Sequence, residues 1–297
     1  MNKSVPDLDD KPYGGAWPIY DKDAMIHLSN FKYKGIDTMS FLNNYRDWAF
    51  QGHNLQDINA FSNLAFCNGT TETFDKFYHK YMNKRLRLFK GEYFYHQMMG
   101  RICKSFAWVH DDDIKEGDVF VVSVPFSDTG NVPKNLDSLL QACEDNNVPV
   151  LLDMAYINIS KPIQVNLSYN CIECITTSLS KIFPVENYRI GLRLQRNKVD
   201  DTLYAYLDNE YINHHSISLG QYFIENYSNT FIVDKYQKDQ EEYCKELNVE
   251  QSQCVIFGID SKQQYNEYNR GGDTNRLCFS RVWDGRAVKY SSDHRWW

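Results

Sequence analysis

Three short polar clusters carry residue types that do chemistry. Lys181 ends the stretch Ser178-Leu179-Ser180-Lys181, and Arg189 follows eight residues later. A lysine in a mostly apolar stretch is a candidate amine nucleophile with a lowered pKa. Asp153 ends the run Val150-Leu151-Leu152 and begins Asp153-Met154-Ala155-Tyr156. A carboxylate at the end of an apolar strand is costly unless it meets a cation. Asn68-Gly69-Thr70-Thr71 lies between a strand-like and a helix-like segment. Backbone N–H groups and hydroxyls there can cradle an anion at the helix start. Each cluster alone also fits a capped helix, a salt bridge or a surface lysine.

Hydrophobic periodicity supplies the elements that must position these clusters. Strands are expected at 63–67, 86–89, 119–125, 148–154, 172–176 and 190–194, each short and apolar. Helices are expected at 38–50, at 71–84, where Phe74, Phe77, Tyr78 and Tyr81 share a face, and around Leu136, Leu139, Leu140 and Cys143. Strands apolar on both faces, interleaved with amphipathic helices, imply a largely parallel sheet covered on both sides. All three clusters then fall at the carboxyl edge of that sheet, where open α/β folds bind ligands. The C-terminal part differs, with a helical stretch at 201–229, a charged helix at 234–246 and strands near 255–259 and 276–282. The expected organisation is a large α/β domain over 51–200 and a smaller α+β domain built from 1–50 plus 201–297.

Composition narrows the function. The chain has 297 residues, 42% hydrophobic and 15% aromatic, enough for a large core and unlike a disordered chain. A net charge of −7 argues against a general nucleic-acid binder, which needs a basic face. No apolar run approaches the ~18–20 residues of a membrane span, and the polar N-terminus lacks a signal-peptide core, so a cytoplasmic location is expected. The eight cysteines are scattered through core-like segments and read as buried hydrophobes. Cys171 and Cys174 form a single CxxC with no matching pair, and His214-His215 point to different helix faces, so no metal site is expected.

Taken together, in this order and spacing, the clusters resemble fold-type I pyridoxal-phosphate enzymes, and among them the class I/II aminotransferases. The motifs are Asp153-x-x-Tyr156, then Ser178-x-Ser180-Lys181 28 residues after Asp153, then Arg189. The resemblance spans roughly 63–194 and implies a mostly parallel, seven-stranded-type sheet sandwiched by helices, with pyridoxal 5'-phosphate as cofactor. It assigns Lys181 to the Schiff base with the cofactor aldehyde. Asp153 pairs with the protonated pyridine nitrogen, and Tyr156 bonds the ring 3-oxygen. Ser178, Arg189, Gly69, Thr70 and Thr71 hold the phosphate, where an arginine fork suits a dianion. Tyr93 falls at the ring-stacking position, with Tyr95 as the fallback. Two subunits of a homodimer would build each pair of sites.

Two places depart from the family pattern. Where aminotransferases carry Asn-Pro-Thr-Gly, this chain has Ser127-Asp128-Thr129-Gly130, so Ser127 replaces an asparagine that helps hold the 3-oxygen and the substrate carboxylate. Asn187 stands where a glycine often precedes the phosphate arginine. Near the C-terminus, Asp273-Thr274-Asn275-Arg276 resembles the segment that binds the substrate α-carboxylate, with Arg270, Arg281 and Arg286 as competitors for Arg276. Gly15, in Tyr13-Gly14-Gly15-Ala16-Trp17, lies where the family's N-terminal segment covers the pocket. The implied activity is transamination of an amino acid or small amine. Another pyridoxal-phosphate reaction, such as decarboxylation, elimination or racemisation, is the first alternative, and a catalytically idle relative is the second.

Overall fold

The apolar runs assemble one central sheet in the computed structural model, which describes residues 16–283. In chain order the N-terminal half carries α1 (Lys22–Ser29), α2 (Thr38–Phe50), β1 (Asn54–Gln56), β2 (Asn63–Asn68), α3 (Thr70–Tyr81) and β3 (Arg85–Leu88). It continues with α4 (Phe94–Met99), β4 (Ser105–Trp108), β5 (Asp118–Ser123), α5 (Leu136–Asp145) and β6 (Val150–Asp153). Next come β7 (Gln164–Asn166), β8 (Ile172–Ser178), β9 (Ile190–Gln195), α6 (Thr202–Asp208), α7 (His214–Asn226) and α8 (Phe231–Leu247). The chain then forms β10 (Glu250–Gln251), β11 (Phe257–Asp260), β12 (Asn275–Cys278) and α9 (Ser280–Trp283).

Seven strands pair in the order β2-β9-β8-β6-β5-β3-β4. The pairs from β8 to β4 are parallel, whereas β9 runs antiparallel to both β2 and β8. The reversal has a simple cause. A parallel neighbour needs a crossover of about a dozen residues or more, usually a helix. The link from β8 to β9 is a short loop with one 3-10 turn, Glu186–Tyr188, so the strand comes straight back. That loop carries Lys181 and Arg189. The inner strands β5 and β6 are buried at every position, as strands covered on both faces must be.

Helices cover the sheet through the residues that the periodicity marks. Asp37 caps α2 by accepting from the Ser40 amide at 2.7 Å, and Phe41, Leu42, Tyr45 and Ala49 of α2 are buried. The helix α2 packs on α7, where a Cβ at Gly220 would stand 2.8 Å from Phe41 Cζ. The smaller C-terminal region is an antiparallel sheet, β10-β11-β12, beneath α8. Gln240 of α8 donates to the carbonyls of Ser252, Cys254 and Phe257 at 2.8–3.0 Å, which ties the helix to the strand approach.

Some elements differ from the periodic reading. The helical stretch expected at 201–229 is two helices, capped separately by Asp201 and Asn213, with Glu210 between them in the left-handed region at φ 55°. The strand expected at 276–282 ends at Cys278, and the chain turns into α9. The sheet edge β4 and the helices α1 and α4 carry too little periodicity to be read in advance. All eight cysteines are buried and none forms a disulfide. No described helix is long and apolar enough to cross a membrane, and no group of three or more potential metal ligands forms among the described residues.

Candidate active site

The carboxyl edge of the sheet opens into a cleft of about 630 Å³, its mouth included. Thr70, Thr71, Tyr93, Ser127, Asp153, Tyr156, Ser178, Lys181 and Arg189 all line it. They come from β6, β8 and the turns after β2, β3, β5 and β8, so the fold brings together clusters separated by more than a hundred residues. Gly69 and Arg276 adjoin the cleft through their contacts with these residues. Gly15 and Arg286 lie outside the described residues.

At one end, Gly69 and Arg189 fit one another closely. Gly69 has φ +70° and donates its amide to the Arg189 carbonyl at 3.0 Å. A Cβ at Gly69 would overlap the Arg189 guanidinium, with Cζ only 2.7 Å away. Arg189 is itself left-handed at φ 57°, and its guanidinium donates to Thr71 Oγ1 at 3.3 Å and to the Glu186 carbonyl at 3.2 Å. The helix α3 begins at Thr70, so its unpaired first-turn amides and positive dipole end stand beside this guanidinium. Charge-assisted donors, a helix start and hydroxyls at one end of a cleft make an anion site of phosphate character.

The middle of the cleft is built around Asp153. Its Oδ1 accepts from the Ala155 amide at 3.0 Å, and its Oδ2 lies 3.5 Å from His96 Nε2. His96 is fully buried, and its Nδ1 is 2.9 Å from the Tyr78 hydroxyl. Tyr93, the residue that precedes α4, lies edge-to-face with His96, its ring centroid 5.7 Å away. Tyr93 faces the cleft, whereas the Tyr95 hydroxyl donates to Asp75 away from it. The geometry therefore places Tyr93, and not Tyr95, on the cleft wall.

Lys181 Nζ donates to the Ala16 carbonyl at 2.5 Å, so the N-terminal segment reaches across the sheet edge. Burial is the main cause that lowers the Lys181 amine to about 8, with Arg276 adding to it and Cys278, Asp153 and Glu186 opposing. Arg276 is completely buried, donates to the Ser127 carbonyl at 2.6 Å and to the Tyr156 hydroxyl at 3.4 Å, and lies over the Phe257 ring. Among its described competitors, Arg270 turns toward Asp128 at 4.0 Å and Arg281 sits over Trp17. Two hydroxyls on the cleft wall, Ser127 Oγ and Ser180 Oγ, are buried with no hydrogen-bond partner among the described residues. Buried polar atoms of this kind call for a polar ligand.

Sequence reasoning missed two residues that organise the cleft. His96 backs Asp153, and its signal is its place one helical turn after Tyr93. Glu92 is buried and accepts from the Tyr93 amide at 2.7 Å, the Ser123 amide at 2.9 Å and the Ser123 hydroxyl at 2.5 Å. Ser123 Oγ in turn accepts from the Ser127 amide at 2.8 Å. Glu92 thus ties the loop of Tyr93 to the loop of Ser127, and burial raises its pKa above the usual carboxylate value. A lone Glu before an aromatic in a loop gives no such signal in the sequence.

Similarity to known proteins was found at two levels. The family described as aminotransferase class I and II matches residues 58–248. No curated protein matches the sequence. Among solved structures, the PLP-bound C-S lyase from Staphylococcus hominis superposes with a TM-score of 0.67 at 13% identity, covering 92% of this chain and 89% of that one. The L-threonine-O-3-phosphate decarboxylase from Porphyromonas gingivalis gives 0.62 at 15%, covering 92% and 96%. The aromatic aminotransferase from Pyrococcus horikoshii OT3 gives 0.62 at 11%, covering 96% and 95%. These likenesses establish the shared fold, an α/β sheet of fold type I with a smaller antiparallel C-terminal region. With a family match over most of the chain and that fold, the chain belongs to the class I and II aminotransferase family of pyridoxal-phosphate-dependent enzymes.

Proposed function

We propose that the protein is an aminotransferase acting on an amino acid or other small amine, working as a cytoplasmic homodimer. Residues 51–200 form its cofactor-holding domain, and 1–50 with 201–297 form the smaller domain that meets the substrate. The observation that carries the choice of reaction is Arg276, a buried guanidinium beside the Tyr156 hydroxyl at the cleft wall.

The residues present fit pyridoxal phosphate: an anion-binding end, a carboxylate in mid-cleft, a half-buried amine and two unsatisfied hydroxyls. When bound, that cofactor supplies an aldehyde for the lysine amine and a ring that accepts the electron pair left at the substrate Cα. Arg189, Thr71, Ser178 and the start of α3 hold the phosphate. Asp153 keeps a proton on the pyridine nitrogen, and His96 fixes the Asp153 carboxylate in place. Tyr93, on the cleft wall, would pack against the cofactor ring, and the Tyr156 hydroxyl would donate to its 3-oxygen. Lys181 Nζ, a quarter or so neutral near pH 7.5 if its pKa is about 8, is ready to attack as an amine. As a free amine beside the substrate, Lys181 Nζ would take the proton from the substrate Cα and later return one.

Arg276 directs which Cα bond breaks. A guanidinium fork on the α-carboxylate would fix the direction of that group and so present the Cα–H bond for cleavage. It also stabilises the carboxylate against loss as carbon dioxide. A lyase or decarboxylase is the second reading, because Ser127 and Asp128 replace the family's Asn-Pro at this same end. The test is a reaction with amino donor alone. An aminotransferase releases one keto acid per site and then stops until an acceptor is added. Continuous turnover of a single substrate would overturn the proposal in favour of the second reading.

A further inference from the structure

Asp128 stands where the family carries a proline, and it is nearly inaccessible, with 2% of its surface exposed. Its Oδ2 accepts from Thr274 Oγ1 at 3.3 Å, and its Oδ1 lies 4.0 Å from Arg270 Nε. Two glycines close over the carboxylate. A Cβ at Gly91 would stand 2.8 Å from Asp128 Cγ, and one at Gly272 would overlap Oδ2. The two glycines thus leave the room that the carboxylate fills. Its chain neighbour Ser127 supplies the carbonyl that anchors Arg276. Arg270 is also near the cleft, since its positive charge acts on the Tyr93 phenol. Asp128 is thus a built-in anion between two arginines at the substrate end.

We propose that Asp128 is a specificity-determining residue that restricts the substrate end to amino acids with one carboxylate and disfavours dicarboxylic ones. The inference rests on the reading of Arg276 as the α-carboxylate site. A dicarboxylic substrate needs a second cation for its distal carboxylate, and Arg270 is the second guanidinium at this end. Asp128 occupies the charge of Arg270 and repels an incoming anion from a fixed, desolvated position, where unlike and like charges both act strongly. Four groups face Asp128: Arg276 and Arg270 favour its charged form, Thr274 supports it by hydrogen bonding, and Glu92 opposes it. Burial dominates and lifts the carboxyl to about 6, which still leaves it ionised at neutral pH.

The experiment compares propionate and succinate as probes by titration calorimetry on the cofactor-loaded protein at about pH 7.5. The wild type should bind succinate no more tightly than propionate. In Asp128→Asn, an isosteric change, the succinate-to-propionate affinity ratio should rise at least about tenfold, the scale of one elementary charge a few ångströms away in partly desolvated surroundings. Asp128→Ser should do the same, so a folding failure of one variant leaves the other decisive. Adding Arg270→Gln to Asp128→Asn should bring the ratio back. A ratio within about twofold of wild type in either folded variant would overturn the inference, as would a wild type that already prefers succinate by tenfold. Arg276→Lys separates the two levels. If it leaves the binding of both acids unchanged, the carboxylate-site reading itself is wrong. If it weakens both while Asp128→Asn leaves their ratio unchanged, only the role of Asp128 falls.

Discussion

Lys181 is expected to show its buried environment directly as pH is varied. An ordinary lysine titrates near 10.5, and here the amine is lowered to about 8, chiefly by burial. At pH 7.5 an ordinary lysine is neutral in about one molecule in a thousand, whereas one titrating at 8 is neutral in about one in four. The rate at which cofactor-free protein captures pyridoxal phosphate should therefore rise about tenfold per pH unit below 8 and level off above it. Absorbance measures the rate, and borohydride trapping followed by mass spectrometry places the adduct on Lys181. The same shift affects stability. Between about 8 and 10.5 the unfolded chain keeps a proton that the folded chain has released, so the cofactor-free protein should gain stability as pH rises through that window. Below 8 both states carry the proton, and the folded state bears the full penalty of the buried charge. A shift of 2.5 units corresponds to about 3.4 kcal/mol, which the partial exposure of this side chain trims to about 1–3 kcal/mol. Cofactor-free Lys181→Met should accordingly be more stable than cofactor-free wild type by that amount near neutral pH in urea melts, and the gap should close by about pH 10. A capture rate that climbs steadily to pH 10, together with no stability gain in Lys181→Met, would refute the reasoning.

Three further outcomes are expected. Gly69→Ala should weaken pyridoxal phosphate binding at least tenfold by equilibrium dialysis and lower stability by about 1–2 kcal/mol, because its Cβ displaces Arg189 and its φ of +70° penalises a side chain. Asp153→Ala should keep the cofactor bound but lose at least a hundredfold in kcat, and His96→Phe should show the same pattern more mildly, since His96 acts only through Asp153; wild-type turnover in Asp153→Ala would contradict its role. Light scattering should give about twice the chain mass of 35.0 kDa, and a fully active monomer would contradict the dimer.

How far the sequence exposed this site depends on how local each signal is. Asp153, Ser178 and Lys181 sit where apolar strands stop, so alternation and run length locate them. Thr70 and Thr71 sit where a strand gives way to an amphipathic helix. Arg189 follows in a fixed-length loop. The largely parallel arrangement of β8, β6, β5 and β3 was equally legible, because strands apolar on both faces demand two covering layers. The reversal of β9 was legible in principle from the short link before it, but apolar runs carry no direction. His96 and Glu92, and the partners of Asp128, were opaque for another reason. Each makes its functional contact with a residue far along the chain: His96 with Asp153, Glu92 with Ser123, Asp128 with Thr274 and Arg270. No periodicity records such pairs. The split of 201–229 into two helices was hidden because Asn213, a cap in the structure, looks like any polar residue in an exposed helical stretch.

The two ends of the cleft are built by different parts of the chain, and this bears on what similarity can decide. The phosphate and ring end draws on the stretch from β2 to β9, the part covered by the family motifs. The end proposed to meet the substrate is assembled from Ala16 on Lys181, the Ser127–Asp128 turn after β5, and Arg270, Thr274 and Arg276 beside the C-terminal hairpin. At 11–15% identity to the solved structures, the likeness fixes the relative placement of strands. It leaves free the loops that orient the bonds at Cα. A C-S lyase, a decarboxylase and an aminotransferase can therefore share this backbone, because the electron sink is common to all and only the angle of the scissile bond differs. On the proposed reading that angle is set in this chain by a fully buried guanidinium held by the Ser127 carbonyl and the Tyr156 hydroxyl, next to a buried carboxylate that stands where the family pattern has proline. If both proposals hold, the choice of reaction and the choice of substrate converge on the same few side chains, Asp128, Arg270 and Arg276, whose charge stands behind the cleft wall rather than against the cofactor.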